Sequence, residues 1–271
     1  MKFSIFLLSA IFLFGCKGKN QGVDQEGNLN MYPTDLNNQW EYFSTLTNEY
    51  LNNAGDIDTT QTFKFPNTIV KITSIDDSIP GFNDLVKIEA YNADSPGSFS
   101  EEWYINNDSV FSVIAYRNAG NSYPIIPKPY NKRYLTLEEF KYICKDLAFN
   151  FILDKSAGDS IQYFYPPRVV LKYPLYPGEK WNELKTPFYR DRIVKGMTSI
   201  EVNNNYYNCY IIEADLSVPK VKMIDYVSLQ AGLVKREIIS DSIEVTNINS
   251  PDSAIGYTKG HDISILVNKN F

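Results

Sequence analysis

Carboxylate side chains are the groups of this 271-residue chain that could catalyse a reaction without a cofactor. Two acids that meet across a cleft can cleave a glycosidic bond, one as the acid and the other as the nucleophile or base. Neighbouring acids on a strand point to opposite faces, and acids at a helix start favour the helix dipole. Because no spacing brings two of them together, a carboxylate-dependent glycan hydrolase is a lesser alternative. The candidates are Glu101, Glu102, Glu138, Glu139, Glu183 and Asp191.

Other catalytic and metal-binding signatures are missing from the sequence. His261 is the single histidine, which argues against a catalytic triad, a Cys-His pair or a multi-histidine zinc site. The glycine-rich nucleotide motifs, HExxH and GxSxG do not occur. We therefore predict a protein that is not an enzyme and has no cofactor or metal. Two acidic stretches, residues 56–58 and 76–84, could bind calcium but lack EF-hand spacing and are more typical of turns.

The first cysteine predicts a covalent modification. Lys2 precedes an apolar run, residues 3–14, that is shorter than the roughly 20 residues needed to span a bilayer. This is the pattern of a secretory signal. The run ends in a segment that resembles the bacterial lipobox, and the resemblance implies cleavage before the cysteine and its acylation. An ordinary signal peptide or an uncleaved anchor is the alternative. The lipobox residues are Leu13, Phe14, which is bulkier than the usual occupant, Gly15 and Cys16.

Acylation of Cys16 would hold the protein at a membrane. Two or three acyl chains such as palmitate anchor stably, because each buried methylene contributes about 0.8 kcal/mol. Residues 17–30 are polar and glycine-containing and predict a tether that spans about 20 Å. Lys17 stands where aspartate would indicate inner-membrane retention. We therefore expect a location in the cell envelope, at the outer membrane if the cell has one.

The composition favours strands and argues against nucleic acid. The net charge is −6, and a nucleic-acid-binding protein would be expected to carry a basic stripe. Aromatic residues make up 14% of the chain, which is material for strands. They either fill a β core or line a groove for sugars or lipids. Besides Cys16 there are Cys144, on a predicted helix, and Cys209, on a predicted strand, which either form a disulfide or are two buried small residues.

An internal duplication organises the chain. Tyr32-Pro33 is followed by Trp40, and Tyr173-Pro174 is followed by Trp181 at the same spacing. Three further pairs of similar segments then follow in the same order, and both members of one pair, 85–90 and 209–214, alternate apolar and polar residues as strands do. We interpret this as two related units. The matching segments are 69–75 with 193–200, 85–90 with 209–214, and 103–111 with 225–234.

A different stretch separates the copies. Residues 121–134 carry three prolines that a central strand would not tolerate. Thr136 and Glu139 then form a capping box before an apolar face with helical spacing, which predicts one helix at about 137–150. That helix either packs on a sheet or covers a cavity as a lid. Residues 163–167 predict a second aromatic and proline connection, and residues 263–267 a closing strand.

These observations predict a mainly β fold, between all-β and α+β. Two related antiparallel units form either a half-open barrel or packed twisted sheets, with one helix in the central insertion. The predicted divisions are a signal peptide (1–15), the lipidated cysteine and tether (16–30), β unit A (31–116), a proline- and tyrosine-rich connection (117–168), and β unit B with its closing strand (169–271).

The lipobox, the early Tyr-Pro and Trp motif and the late hairpin through Gly232 resemble a broad set of poorly characterised bacterial envelope lipoproteins. The resemblance implies no defined activity and no site residues. With no catalytic constellation, the first hypothesis is a non-catalytic binding module for an apolar or extended ligand such as a lipid or glycan. The alternative is a structural component that contacts another envelope protein, for which an exposed apolar patch would be evidence.

Overall fold

The computed structural model describes residues 31–52, 54–119, 161–185, 189–216, 221–247 and 250–271. The predicted signal peptide, lipobox and tether lie outside the described residues, as do the helix predicted at 137–150 and Cys144. Every regular element in the described part of the chain is a β-strand.

Twelve strands follow one another along the described chain. Their lengths run from 5 residues in β7 to 23 residues in β2. They are β1 (Gln39–Leu51), β2 (Ile57–Ile79), β3 (Phe82–Asn92), β4 (Ser95–Asn106), β5 (Val110–Ala119), β6 (Gln162–Lys172), β7 (Lys180–Leu184), β8 (Arg190–Val202), β9 (Asn205–Leu216), β10 (Val221–Ser228), β11 (Gly232–Asn247) and β12 (Ser250–Asn270).

The strands form one antiparallel sheet in the order β6-β5-β4-β3-β2-β1-β12-β11-β10-β9-β8-β7. The two end strands of this order, β6 and β7, lie next to each other without sharing a backbone ladder. We call this junction the β6–β7 seam. The sheet is therefore a nearly closed barrel, and the predicted mainly β fold is confirmed in that form.

The first and last described strands join the two halves of the sheet. β1 pairs with β12 from Gln39 opposite Asn270 to Leu51 opposite Tyr257. β1 to β6 thus form one half of the barrel and β7 to β12 the other. The two motif tryptophans occupy matching places, because Trp40 lies near the start of β1 and Trp181 near the start of β7.

The sixth strand differs from the sequence prediction. Residues 163–167 were predicted as a connection, yet they lie inside β6, which also runs across the predicted boundary at 168 and 169. Pro166 and Pro167 are tolerated because β6 has a ladder partner on one side, where its register with β5 skips them. These two prolines therefore mark an edge strand and not a loop.

Alternation along the strands divides the apolar residues between the inside and the outside of the barrel. The inner cluster includes Trp40, Tyr42, Ile72, Tyr104, Leu171, Trp181 and Ile212. Smaller clusters lie elsewhere on the sheet, one around Trp103 and one around Cys209. Cys209 is buried beside Val202 and Val234, and burial raises the pKa of its thiol to about 12. A disulfide with Cys144, which was one of the two alternatives, stays a prediction.

Candidate functional site

Charged side chains fill part of the inner space of the barrel. Glu183 of β7 accepts hydrogen bonds from Arg190, at 3.2 Å, and from the Nε of Arg192. Arg192 also donates from Nη1 to Asp225 of β10 at 2.7 Å, and Arg236 of β11 donates from Nη2 to the same oxygen at 2.8 Å. We call these five residues the ion-pair chain. Its charges alternate from β7 across to β11.

Arg168 of β6 and Glu102 of β4 lie beside the ion-pair chain. A terminal nitrogen of Arg168 is 3.7 Å from Glu102 Oε1, and its Nε is 3.7 Å from Glu183 Oε1. Both separations are longer than hydrogen bonds. Glu102 is in turn hydrogen-bonded by the Tyr104 hydroxyl two residues along the same strand. Arg168 is thus the loosely held cation of this interior.

Aromatic rings form another wall of the same space. The Tyr32 ring stacks on Phe111 with a centroid separation of 4.7 Å, and Phe111 stacks on Tyr104 at 4.5 Å. Three rings thus lie in a row. The row places the Tyr104 hydroxyl against Glu102, so that the aromatic wall meets the charged one.

The two walls line a partly open cavity of about 100 Å³. Because one water needs about 10 to 15 Å³ of such space, the cavity has room for several waters. Arginines, acids and aromatic rings line it together with aliphatic side chains. The charged and aromatic lining residues are Tyr32, Tyr42, Glu102, Tyr104, Phe111, Arg168, Glu183, Arg190, Arg192, Asp225 and Arg236.

The arginines keep two of the three cavity acids ionised. Burial opposes ionisation of Glu183, but Arg190, Arg192 and Arg168 outweigh it and lower the pKa of this carboxyl to about 2. Burial likewise opposes ionisation of Asp225, and Arg236 with Arg192 hold its pKa well below the usual value. Neither carboxyl carries a proton near neutral pH.

Glu102 behaves differently. Burial raises the pKa of its carboxyl, and Arg168 offsets that effect only in part. Among the described residues that line the cavity, four arginines face three acids. The interior is therefore cationic, and it becomes more so when Glu102 takes up a proton.

The acids singled out in the sequence lie at different places in the structure. Glu101 and Glu102 are adjacent on β4 and point to opposite faces: Glu101 pairs with Lys87 and Arg117, whereas Glu102 lines the cavity. Glu183 lies in the same cavity as Glu102. Asp191 is not part of the lining and accepts a hydrogen bond from Asn182 at 3.1 Å. Glu138 and Glu139 lie outside the described residues.

Sequence reasoning missed the four arginines and Asp225. The sequence pattern that could have revealed them is a charged residue on the same face of a strand as an inward apolar residue. Examples are Arg192 with Val194 and Asp225 with Val227. An inward charge in a β core needs a partner, and several such charges on neighbouring strands predict a shared interior site.

The two acidic stretches that were considered as calcium sites and judged typical of turns lie largely in β2 and β3. Asp77 accepts a hydrogen bond from the Trp103 indole at 2.8 Å, and Asp84 adopts a positive φ within β3, where the pairing with β2 is irregular. Within the described residues no group of three potential metal ligands comes together. In the same part of the chain, no helix has the length and apolarity to cross a membrane.

The Tyr-Pro and Trp motif positions the aromatic wall. Trp40 donates from its indole to the carbonyl of Ala231 at 2.7 Å, and the Tyr32 hydroxyl accepts from the backbone N–H of Leu233 at 3.2 Å. Both contacts hold the turn between β10 and β11. Gly232 in that turn has φ of +80°, and an added Cβ would lie 2.8 Å from Trp40 Nε1.

The fold and the site define a class, an antiparallel barrel with a charged internal cavity. A structure from Bacteroides fragilis, provisionally described as an exported protein with a YmcC-like fold, matches 89% of this chain and 99% of its own at 9% identity and a TM-score of 0.39. One from Parabacteroides distasonis, provisionally described as a lipoprotein, matches 88% and 97% at 10% identity and a TM-score of 0.28. No family model and no curated protein sequence matches the chain.

Proposed function

We propose that this protein is a lipid-anchored envelope protein that binds a small polar ligand inside its barrel and does not transform it. The observation that carries the proposal is the cavity between the ion-pair chain and the aromatic wall. Charged groups enclosed in a barrel are costly to desolvate, and packed apolar residues would serve stability at least as well. Their presence around a cavity is what a binding site for a polar group requires.

The size of the cavity limits the ligand. Sites for drug-sized ligands or cofactors have volumes of about 300 to 1,000 Å³, whereas this cavity has about 100 Å³. An acyl chain or a sugar chain does not fit inside the barrel as it stands. The ligand that fits is a molecule of a few atoms, or the polar end of a longer one.

A binding role suits the state of the acids. A carboxyl with a pKa near 2, as in Glu183, is a weak base and carries no proton to donate at neutral pH. Asp225 is held in the same way by two arginines. These residues fix charges in place, which supports recognition.

A glycan hydrolase is the second candidate, and one observation favours it. Glu102 and Glu183 line one cavity, and the first has a raised pKa while the second has a lowered one. Divergent pKa values in a pair of acids are typical of an acid and nucleophile pair. If chromogenic glycosides are cleaved by the protein, and cleavage is lost in Glu102→Gln and in Glu183→Gln, this candidate replaces the first.

The binding role is tested by native mass spectrometry of the protein extracted from its own membrane in detergent. We expect a reproducible small bound mass that is released on denaturation. Ala90→Leu, which adds bulk to the cavity lining, should abolish it. Gly196→Leu is the control, because an added Cβ there meets no other atom within 4 Å. An identical mass with and without denaturation, for a fully folded protein, would reject the binding role.

The anchor is tested separately. The lipobox predicts that Cys16 carries the acyl chains, so Cys16→Ser should prevent incorporation of labelled palmitate. Palmitate incorporation that persists in Cys16→Ser would contradict the lipobox prediction.

A further inference from the structure

We propose that the group bound in the cavity is a small oxyanion, a carboxylate, phosphate or sulfate group, and that Arg168 donates hydrogen bonds to it. The inference rests on the proposed binding role and names the ligand class of that site. Three observations carry it: the charge of the lining, the unfilled hydrogen-bonding capacity of Arg168, and the size of the cavity.

The charge of the lining is positive. Of the described residues around the cavity, Arg168, Arg190, Arg192 and Arg236 are cationic, and they face three carboxyl groups. The ion-pair chain begins and ends with arginine, so Glu183 and Asp225 do not neutralise it. An added anion would bring the enclosed charge closer to zero, which is the favourable direction in a medium that solvates ions poorly.

Arg168 has the capacity that an anion would use. Its side chain is about nine-tenths buried, and its Nε has no hydrogen-bond partner. The nearest oxygens of Glu102 and Glu183 are both 3.7 Å from its nitrogens. Buried polar groups are nearly always hydrogen-bonded, and an exception calls for an explanation. A ligand oxygen at Arg168 provides one.

Arg192 shows what a structural arginine looks like in the same interior. It donates from Nε to Glu183 and from Nη1 to Asp225 at 2.7 Å, and it is almost fully buried. The contrast separates the two residues by role. Arg192 holds β8 to its neighbours, whereas Arg168 contacts two carboxylates loosely and stacks its guanidinium over the Phe164 ring at 5.3 Å.

Size and shape fit the same ligand class. A space of about 100 Å³ is large enough for a carboxylate or a tetrahedral oxyanion. The guanidinium is a planar fork of donors that matches two oxygens of such a group. The Tyr32, Phe111 and Tyr104 rings form an apolar wall, which suits the carbon that a carboxylate brings with it.

The test uses the whole folded protein and two probes, sodium sulfate and sodium acetate, at constant ionic strength adjusted with sodium chloride. Isothermal titration calorimetry and thermal unfolding should show saturable binding of at least one oxyanion and a matching rise in Tm. Arg168→Gln should weaken that binding at least tenfold. Arg168→Lys, which keeps the charge but not the fork, should retain part of it.

Lys172→Gln is the matched control, because Lys172 lies on the same strand with a half-exposed side chain. We expect wild-type affinity in this variant. Equal binding of sulfate by wild type and Arg168→Gln, or a Tm rise that sodium chloride reproduces at the same ionic strength, would overturn the inference. A neutral molecule released from the native protein would overturn the inference too, but would leave the binding role standing.

Discussion

The backbone N–H of Tyr32 donates a hydrogen bond to the hydroxyl of Tyr173 at 2.9 Å, so the first residues of the two sequence copies touch. Tyr173 also donates to Asn106 Oδ1 at 3.3 Å, at the end of β4 in the first half of the barrel. Tyr32 in turn reaches Leu233 at the start of β11 in the second half. Each motif tyrosine therefore contacts a hairpin of the opposite half.

Removing one of these hydroxyls should weaken the whole barrel. Tyr173→Phe leaves the Tyr32 N–H and the Asn106 side chain each without one partner, and an unsatisfied buried group costs about 1 to 3 kcal/mol. Urea unfolding measures the loss. Tyr165→Phe is the control, since this residue of β6 is 94% exposed and should change the free energy of unfolding by less than about 0.5 kcal/mol. Equal effects of the two substitutions would contradict the role of Tyr173.

The turn glycines give a second, graded test. Gly178→Ala introduces strain at φ of +91° in open space and should cost about 1 kcal/mol. Gly232→Ala adds the same strain and also a Cβ that is 2.8 Å from Trp40 Nε1 and 2.9 Å from the Tyr32 hydroxyl, so it should cost about 1 to 3 kcal/mol more. Chemical denaturation of both variants measures the difference. A Gly232 variant no less stable than the Gly178 variant would show that this turn can move.

The two buried arginines should differ in their importance for stability. Arg192→Gln leaves Glu183 and Asp225 short of a charged partner, and breaking a buried ion pair costs about 3 to 5 kcal/mol. Arg168→Gln breaks two contacts of 3.7 Å, which are longer than hydrogen bonds, and should cost clearly less in protein free of ligand. Urea unfolding in sodium chloride alone compares them. A larger loss in Arg168→Gln would indicate that Arg168 is structural.

Acid should unfold the barrel through Glu183. Its pKa is about 2 in the folded state and 4.5 ordinarily, so the unfolded state binds the proton first as the pH falls. The contribution of ionised Glu183 to the free energy of unfolding is complete above about pH 4.5 and is lost as the pH falls towards 2. Far-ultraviolet circular dichroism during urea unfolding, repeated at several pH values, measures this. A free energy of unfolding that stays constant from pH 5 to pH 3 would contradict it.

Anion binding should depend on the protonation of Glu102. Burial raises the pKa of this carboxyl, so it becomes neutral at a pH above its usual range, and the cavity then gains positive charge. Sulfate affinity should therefore rise as the pH falls through that pKa. Glu102→Gln mimics the neutral form and should bind tightly without this pH dependence, as calorimetry at several pH values would show. The charged or titratable groups facing Glu102 are Tyr104, Tyr116, Arg168, Glu183 and Arg236.

The sequence predicted the strands better than the site. Repeated alternation, as in residues 85–90, was enough to predict strands, and the two Tyr-Pro and Trp motifs marked the start of each half of the barrel. Residues 163–167 misled because their prolines suggest a loop, and only the sheet order shows that β6 is an edge strand. The effect of a proline on its own backbone can be read from the sequence, whereas the position of its strand in the sheet depends on the whole fold.

The sequence did not predict the site for a related reason. Glu102 and Glu183 are far apart in sequence and meet because β4 and β7 both face one interior, which depends on how the sheet closes. Each inward arginine is a charged residue at a strand position where an apolar residue is expected. Which acid it would pair with depends on the register between strands, and single-strand patterns do not contain that register.

The order of strands has a consequence for how the chain folds. Read from β7 through β12 and on from β1 to β6, the ladder connects neighbours in sequence at every step except the pairing of β1 with β12. That pairing closes a loop of more than 200 residues, whereas β6 and β7 are joined by a short connection and share no ladder. Contacts of such high sequence separation slow folding. A circularly permuted chain that begins at β7 and ends at β6 would make the pairing of β1 with β12 local in sequence, and it should fold faster than the natural order.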